Sequence, residues 1–162
     1  MQKEDHLKNL RIAIKVSAQA REHGNTPFGA ILVGPDGEVL IEQENIEVTT
    51  GKCTGHAETT LADRASQAFS KNFLAKCTLY TSAEPCAMCT GAIYWANVGR
   101  IVYAMTEKQL LSLTGNDQQN PTFDIPCREI LAHGQKNIEV LGPFDEVAAE
   151  AAAVHEGYWE KR

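Results

Sequence analysis

Apolar residues near the start of the chain fall on a helical period. Leu7, Leu10, Ile14 and Ala18, with Ala13 and Val16 filling the stripe, predict an amphipathic helix from about Asp5 to His23. His23-Gly24-Asn25 ends it, because glycine readily takes the left-handed conformation that closes a helix. His23 itself reads as a partner for the negative end of the helix dipole. The spacing then changes. Phe28 to Val33 is an unbroken apolar run between Pro27 and the turn Gly34-Pro35-Asp36-Gly37, and Val39-Leu40-Ile41 opens a second run toward Asn45. Together they predict a β-hairpin. A polar loop from Val48 to Gly55 follows.

Helical spacing resumes at His56, with Leu61, Ala62, Ala65, Ala68 and Phe69 as the expected buried face. Cys77 to Thr81 reads as a strand, and a second helix is expected to begin at Cys86, just after Pro85, and to run through Ala92, Ile93 and Ala96. Arg100 to Ala104 is another strand and Glu107 to Leu113 a short helix, before Gly115 to Pro121 breaks the pattern. The segment from Pro121 to Gln135 receives no element. Ile138 to Leu141 is a late strand, and Asp145 to about Glu156 is alanine-rich and helical. Helices that separate strands imply an α/β sheet covered on both faces. No repeat, low-complexity tract or linker divides residues 1–162, so one domain is expected.

Composition narrows the field modestly. The apolar fraction, 43 %, suits a soluble globular chain, and no stretch approaches membrane-spanning length. A charged start, Met1-Gln2-Lys3-Glu4-Asp5-His6, argues against a secretory signal and makes the cytoplasm the expected location. Fifteen basic against 21 acidic residues give a net charge of −6, and no run of lysine or arginine exceeds a pair. That balance removes the general attraction on which non-specific nucleic-acid binding rests, and favours a small-molecule substrate with neither nucleic acid nor membrane as partner. Five cysteines, an odd number, argue against a disulfide framework. Cys53, Cys77 and Cys127 read as small buried hydrophobes, with Cys53 near enough to His56 to reach a pocket there.

The chemistry lies in His56-Ala57-Glu58 and Pro85-Cys86-Ala87-Met88-Cys89. One imidazole and two thiolates form a donor set suited to Zn²⁺, and three protein ligands leave the fourth tetrahedral position open. Both groups sit at helix starts, where free N–H groups and the helix dipole favour thiolate. Glu58 is not needed to hold the ion and stands where a proton carrier would stand. Three plainer readings compete: a redox dithiol at Cys86 and Cys89; a closed structural zinc site completed by Cys127, His133 or His155; and Glu58 as an ordinary first-turn acid. His133, beside Gly134, reads as a helix-end residue.

The pattern His-x-Glu…Pro-Cys-x-x-Cys resembles that of the cytidine deaminase-like zinc deaminases. Ser82 to Ala96, with its Gly91-Ala92-Ile93-Tyr94-Trp95-Ala96, is most similar to the small bacterial guanine deaminases, as are Pro27-Phe28-Gly29-Ala30, Asn45 and Asp117. The resemblance implies a three-layer α/β/α sandwich around a mixed sheet of about five strands, with one Zn²⁺ per subunit held by His56, Cys86 and Cys89. It also implies that Glu58 moves protons while a base loses its amine. Phe28 would then pack on the base, Asn45 would bond its edge, and Ala57, Trp95 and Asp117 would complete the pocket. For Phe28 and Trp95 plain core packing is an equal alternative, and for Asn45 a strand-end role. The family forms homodimers in which the C-terminal segment, here about 143–162, crosses to the partner's pocket. Tyr158 and Trp159 are the aromatic residues for that, or else anchors on their own subunit. Guanine is the first expected substrate, and guanosine, cytosine, cytidine or ammeline are alternatives. tRNA adenosine and a non-enzymatic zinc module stand further off.

Overall fold

A computed structural model describes residues 2–114 and 120–161. In chain order its elements are α1 (Lys3–Glu22), β1 (Gly29–Val33), β2 (Val39–Glu44), α2 (Glu47–Thr50), α3 (Ala57–Ala68), α4 (Lys71–Leu74), β3 (Thr78–Ala83), α5 (Ala87–Ala96), β4 (Arg100–Met105), α6 (Glu107–Thr114), α7 (Cys127–Ala132), β5 (Glu139–Leu141) and α8 (Asp145–Ala153). A short 3-10 turn at Trp159–Lys161 ends the chain. The five strands form one mixed sheet in the order β2-β1-β3-β4-β5. β1 runs antiparallel to both β2 and β3, and β3, β4 and β5 are parallel.

Alternation along the central strands divides the core. Ile31, Val33, Tyr80, Val102 and Ala104 face α1 and α8, whereas Ala30, Leu32, Leu79 and Ile101 face α3 and α5. The result is the expected three-layer α/β/α sandwich, because period-2 strands with both faces covered require a helical layer on each side. β3 is buried along its whole length, as befits the central strand. At the head of β1 the sheet and α1 almost touch. A Cβ on Gly29 would lie 2.4 Å from the backbone nitrogen of Ser17 and 2.7 Å from the carbonyl oxygen of Ala13. Glycine is the residue that permits that approach.

α1 starts earlier than its apolar period implies, because a capping box adds a turn. The Gln2 side chain and backbone are both bonded at the first turn, the latter through the Asp5 carboxylate at 3.1 Å. The polar stretch from Val48 to Gly55 is not all loop. It contains the end of α2, whose Val48 and Thr49 N–H groups donate to the Asn25 side-chain oxygen, 3.0 Å each. On α3, Leu61, Ala62 and Ala65 are buried as expected, but Ala68 is exposed and Phe69 half-buried at the frayed end. α7 occupies the middle of the segment left without an element. Six residues with two buried side chains are too few to show a period.

The C-terminal segment packs on its own α1. The Arg21 guanidinium donates to the carbonyls of Val154 and Glu156, 2.7 Å each, and lies 5.5 Å from the Tyr158 ring centroid. No helix among the described residues is long and apolar enough to cross a membrane.

Candidate active site

The topology sends several chain segments to one edge of the sheet. β2, β3 and β4 end there and β1 begins there, so the segments leading into α3, α5 and α6 meet Phe28 outside the carboxyl ends of the strands. That edge is where open α/β sheets place their ligands. α3 and α5 start side by side at it, with His56 as the N-cap residue of one and Cys86 as the N-cap residue of the other.

His56 Nδ1 lies 3.6 Å from the Sγ atoms of both Cys86 and Cys89, and the three donor atoms fall within 4.8 Å of one another. A tetrahedral ion with Zn–N of about 2.0–2.1 Å and Zn–S of about 2.3 Å would set an N···S distance of about 3.6 Å. The donor set therefore fits zinc in both chemistry and spacing. No fourth histidine, cysteine or acid joins the cluster among the described residues. Of the three candidates for a closed site, His133 caps the end of α7, His155 is buried against Trp159, and the Cys127 backbone N–H is bonded to Glu84.

Hydrogen bonding from the Cys89 thiol, followed by that from His56, brings the Cys86 thiol down to about 4. The same contact with Cys86 carries His56 up to about 9, and hydrogen bonding to Cys86 with burial raises the Cys89 thiol well above its usual value. The Thr59 hydroxyl donates to Cys89 Sγ at 3.1 Å, which opposes that rise. On its other side His56 Nε2 faces the Glu47 carboxylate at 3.9 Å.

Glu58 stands beside this cluster, 6 % exposed. Burial, reinforced by the charge of Cys86, lifts its carboxyl to about 7. Its Oε2 lies 3.1 Å from the Thr81 hydroxyl, which also lies 2.9 Å from the carbonyl of Ala83. One hydroxyl has one proton. Thr81 can donate to Glu58 when the carboxyl is ionised, and accept from it while donating to Ala83 when it is protonated. Both states of Glu58 thus have a partner.

A cavity of about 430 Å³ opens over these groups. Its walls include Phe28, Asn45, Glu47, Cys53, His56, Glu58, Glu84, Cys86, Met88, Glu107 and Leu110, with residues 120–123 closing one side. Phe28 and Asn45 thus share one cavity wall with Cys53, which was expected as a buried hydrophobe. Cys53 is exposed, unlike the buried Cys77 and Cys127.

Other expected pocket residues lie elsewhere. Trp95 is 72 % exposed and lines a separate open groove with Ala92 and Ala96. It follows the fully buried Ile93 by two residues, about 200° around α5, so it points away from the core. Ala57 is wholly buried among Leu61, Leu79 and their neighbours and does not reach the cavity wall. Trp159, 7 % exposed, lies behind Phe28 with ring centroids 6.4 Å apart, and Tyr158 rests under Arg21. Neither lines the cavity of its own chain. Asp117 is outside the described residues.

Glu47, Glu84 and Glu107 enter the wall without having been singled out. Glu84 is 4 % exposed, and its two oxygens accept the backbone N–H groups of Glu107 and Cys127 at 2.9 and 2.8 Å. Glu107, also 4 % exposed, is held up to about 9 by burial, and its Oε2 has no hydrogen-bond partner among the described residues.

Three donors spaced for zinc beside a buried acid suit a metal-dependent hydrolase. Residues 3–105 match the cytidine and deoxycytidylate deaminase zinc-binding region, and the chain belongs to that family of deaminases. It is 41 % identical over 157 residues to a probable cytosine deaminase of Schizosaccharomyces pombe, covering 97 % of this chain and 94 % of that one. The guanine deaminase of Bacillus subtilis is 39 % identical over 101 residues, 62 % of this chain and 64 % of its own. Among solved structures, a guanine deaminase from Nitrosomonas europaea superposes with a TM-score of 0.76 at 21 % identity, covering 94 % of this chain and 83 % of that one. The last comparison shows a shared fold.

Proposed function

We propose that the chain catalyses zinc-dependent hydrolytic deamination of a free nucleobase, guanine before others, releasing ammonia. The observation that carries this reading is the triangle of His56 Nδ1 and two cysteine sulfurs with Glu58 beside it on the wall of one cavity. Zinc, when bound by His56, Cys86 and Cys89, supplies a Lewis acid that makes water nucleophilic near neutral pH. Glu58 would take one proton of the attacking water and deliver it to the ring nitrogen, then take the second and deliver it to the departing amine. A carboxyl lifted to about 7 is suited to both halves of that task. Phe28 offers a ring face at the cavity wall. The Asn45 amide nitrogen donates to Glu47 at 3.3 Å, which leaves its second N–H for the edge of the base.

Charge supports a bare base over a nucleotide. Glutamates line the cavity and no described lining residue is lysine or arginine, so no basic side chain of that kind is there to hold a phosphate. Cytosine is a second reading, favoured by the relative matched along nearly the whole chain, a match long enough to take in most of the wall segment at residues 120–123. A homodimer belongs to the same proposal, and sedimentation velocity tests it. The decisive experiment is an ammonia-release screen over guanine, guanosine, cytosine, cytidine, adenine and ammeline. Glu58→Gln is expected to retain zinc while turnover falls by roughly 10²- to 10⁴-fold, the range general acid–base groups contribute. Full activity in that variant refutes the role of Glu58.

A further inference from the structure

Glu107 begins α6 and lines the same cavity as Glu58, yet the deamination chemistry leaves it unused. Its backbone is fixed, because the N–H donates to Glu84 and the first turn of α6 closes through Leu110 N–H to the Thr106 carbonyl at 3.0 Å. Its side chain is fixed by burial, at 4 % exposed. A buried carboxyl oxygen without a donor is costly, and native proteins rarely leave one so. No side-chain donor on the described wall is bonded to its Oε2. Asn120 donates its amide N–H to Thr122 Oγ1 at 2.9 Å, the Thr122 hydroxyl lies 3.3 Å from the Asn120 carbonyl, and one Asn45 N–H goes to Glu47. No lysine or arginine stands on the described wall, and a bound ligand is one source of the donor this carboxyl lacks.

We propose that Glu107 is a specificity-determining residue, whose carboxyl at the cavity wall accepts a hydrogen bond from one ring N–H of the base. It thereby selects heterocycles unsubstituted at that nitrogen over their N-alkylated forms. The proposal rests on the base-deaminase reading and deepens it. Glu84 acts through Glu107 by holding its backbone in place, and is a positioning residue.

The test compares zinc-loaded wild type with Glu107→Leu, Glu107→Gln and Glu107→Asp. The substrates are guanine with its 1-, 3-, 7- and 9-methyl derivatives, and cytosine with 1-methylcytosine. Loss of a hydrogen bond to a buried carboxyl corresponds to ~10–100-fold. E107L is expected to raise KM by that factor with a smaller change in kcat, and E107Q, which keeps a carbonyl acceptor, to restore most of it. One methyl derivative should be rejected by wild type, and its disadvantage against the parent base should shrink in E107L, because the parent has lost the same bond. E107D, which keeps the carboxyl but withdraws it by one methylene, should raise KM at unchanged zinc content. It decides the matter if E107L does not fold. The proposal is overturned if KM is unchanged in E107L or E107D, or if E107L weakens parent and methylated bases equally. If wild type releases ammonia from none of the bases, the base-deaminase reading itself fails, and this outcome is distinguishable because it precedes any variant.

Discussion

Acid is expected to weaken the packing behind Phe28 through one histidine. His155 is 3 % exposed, its Nδ1 accepts the Trp159 indole N–H at 3.0 Å, and its Nε2 is buried without a partner. A proton on Nδ1 would break the bond to Trp159, and burial together with the Arg21 charge keeps the imidazole neutral down to about 4. The unfolded chain, by contrast, binds that proton near 6.5, so stability is whole above pH 6.5 and is lost as the pH falls toward 4. Those two values imply a total loss of about 3 kcal/mol at about 1.4 kcal/mol per pH unit, of which about 2 kcal/mol is gone between pH 7.5 and 5. Other groups titrate in that window, so the measurement is a difference. Urea unfolding of wild type and His155→Gln, a neutral acceptor of similar size, is followed at both pH values. Wild type should lose about 2 kcal/mol more than the variant, roughly 1 M in midpoint for a slope near 2 kcal/mol/M. A gap between the two proteins that stays constant from pH 7.5 to 5 refutes the reasoning. His155 lies edge-on to Phe28 with centroids 5.3 Å apart, so the same loss should loosen a wall of the cavity.

Three further outcomes follow from the geometry. Gly29→Ala forces a methyl into the backbone of α1 and should destabilise by about 1–3 kcal/mol, read as a fall in Tm of roughly 2–9 °C. Cys86→Ser should lose zinc, measured by elemental analysis of dialysed protein, while the far-ultraviolet circular dichroism stays near wild type because both cores lie beyond the site. Trp95→Ala should leave kcat/KM for a deaminated base within about twofold, since its side chain lines a different groove; a loss of tenfold or more would place it in the reaction after all.

The parts of the site legible in the sequence were those written in local rules. His56, Glu58, Cys86 and Cys89 each occupy a helix start, announced by period, by Pro85 and by ligand spacing, and the fold brings the two starts together. Glu107 was unreadable for the opposite reason. An acid in a first helical turn is an ordinary dipole partner, and only the burial imposed by β4, Glu84 and the 120–123 wall makes it unusual. Trp95 shows the limit of a matched motif. The string Gly91 to Ala96 was similar, yet the turn of α5 decides which of its side chains face the cavity. α7 and residues 120–123 depend on contacts with elements far away in sequence, such as the Cys127 N–H on Glu84, and short irregular segments carry no period from which to infer them.

The twin bonds of Glu84 bear on how this scaffold can diversify. One side chain, two residues before the first thiolate, clamps the beginnings of α6 and α7, so the stretch strung between them is moored at both ends to the rigid centre of the sheet. Residues 120–123, which line the cavity, lie within it and can vary while those two bonds, made by backbone N–H groups, are kept. Changes of substrate among such enzymes can therefore accumulate in a replaceable rim, leaving the metal-ready core undisturbed.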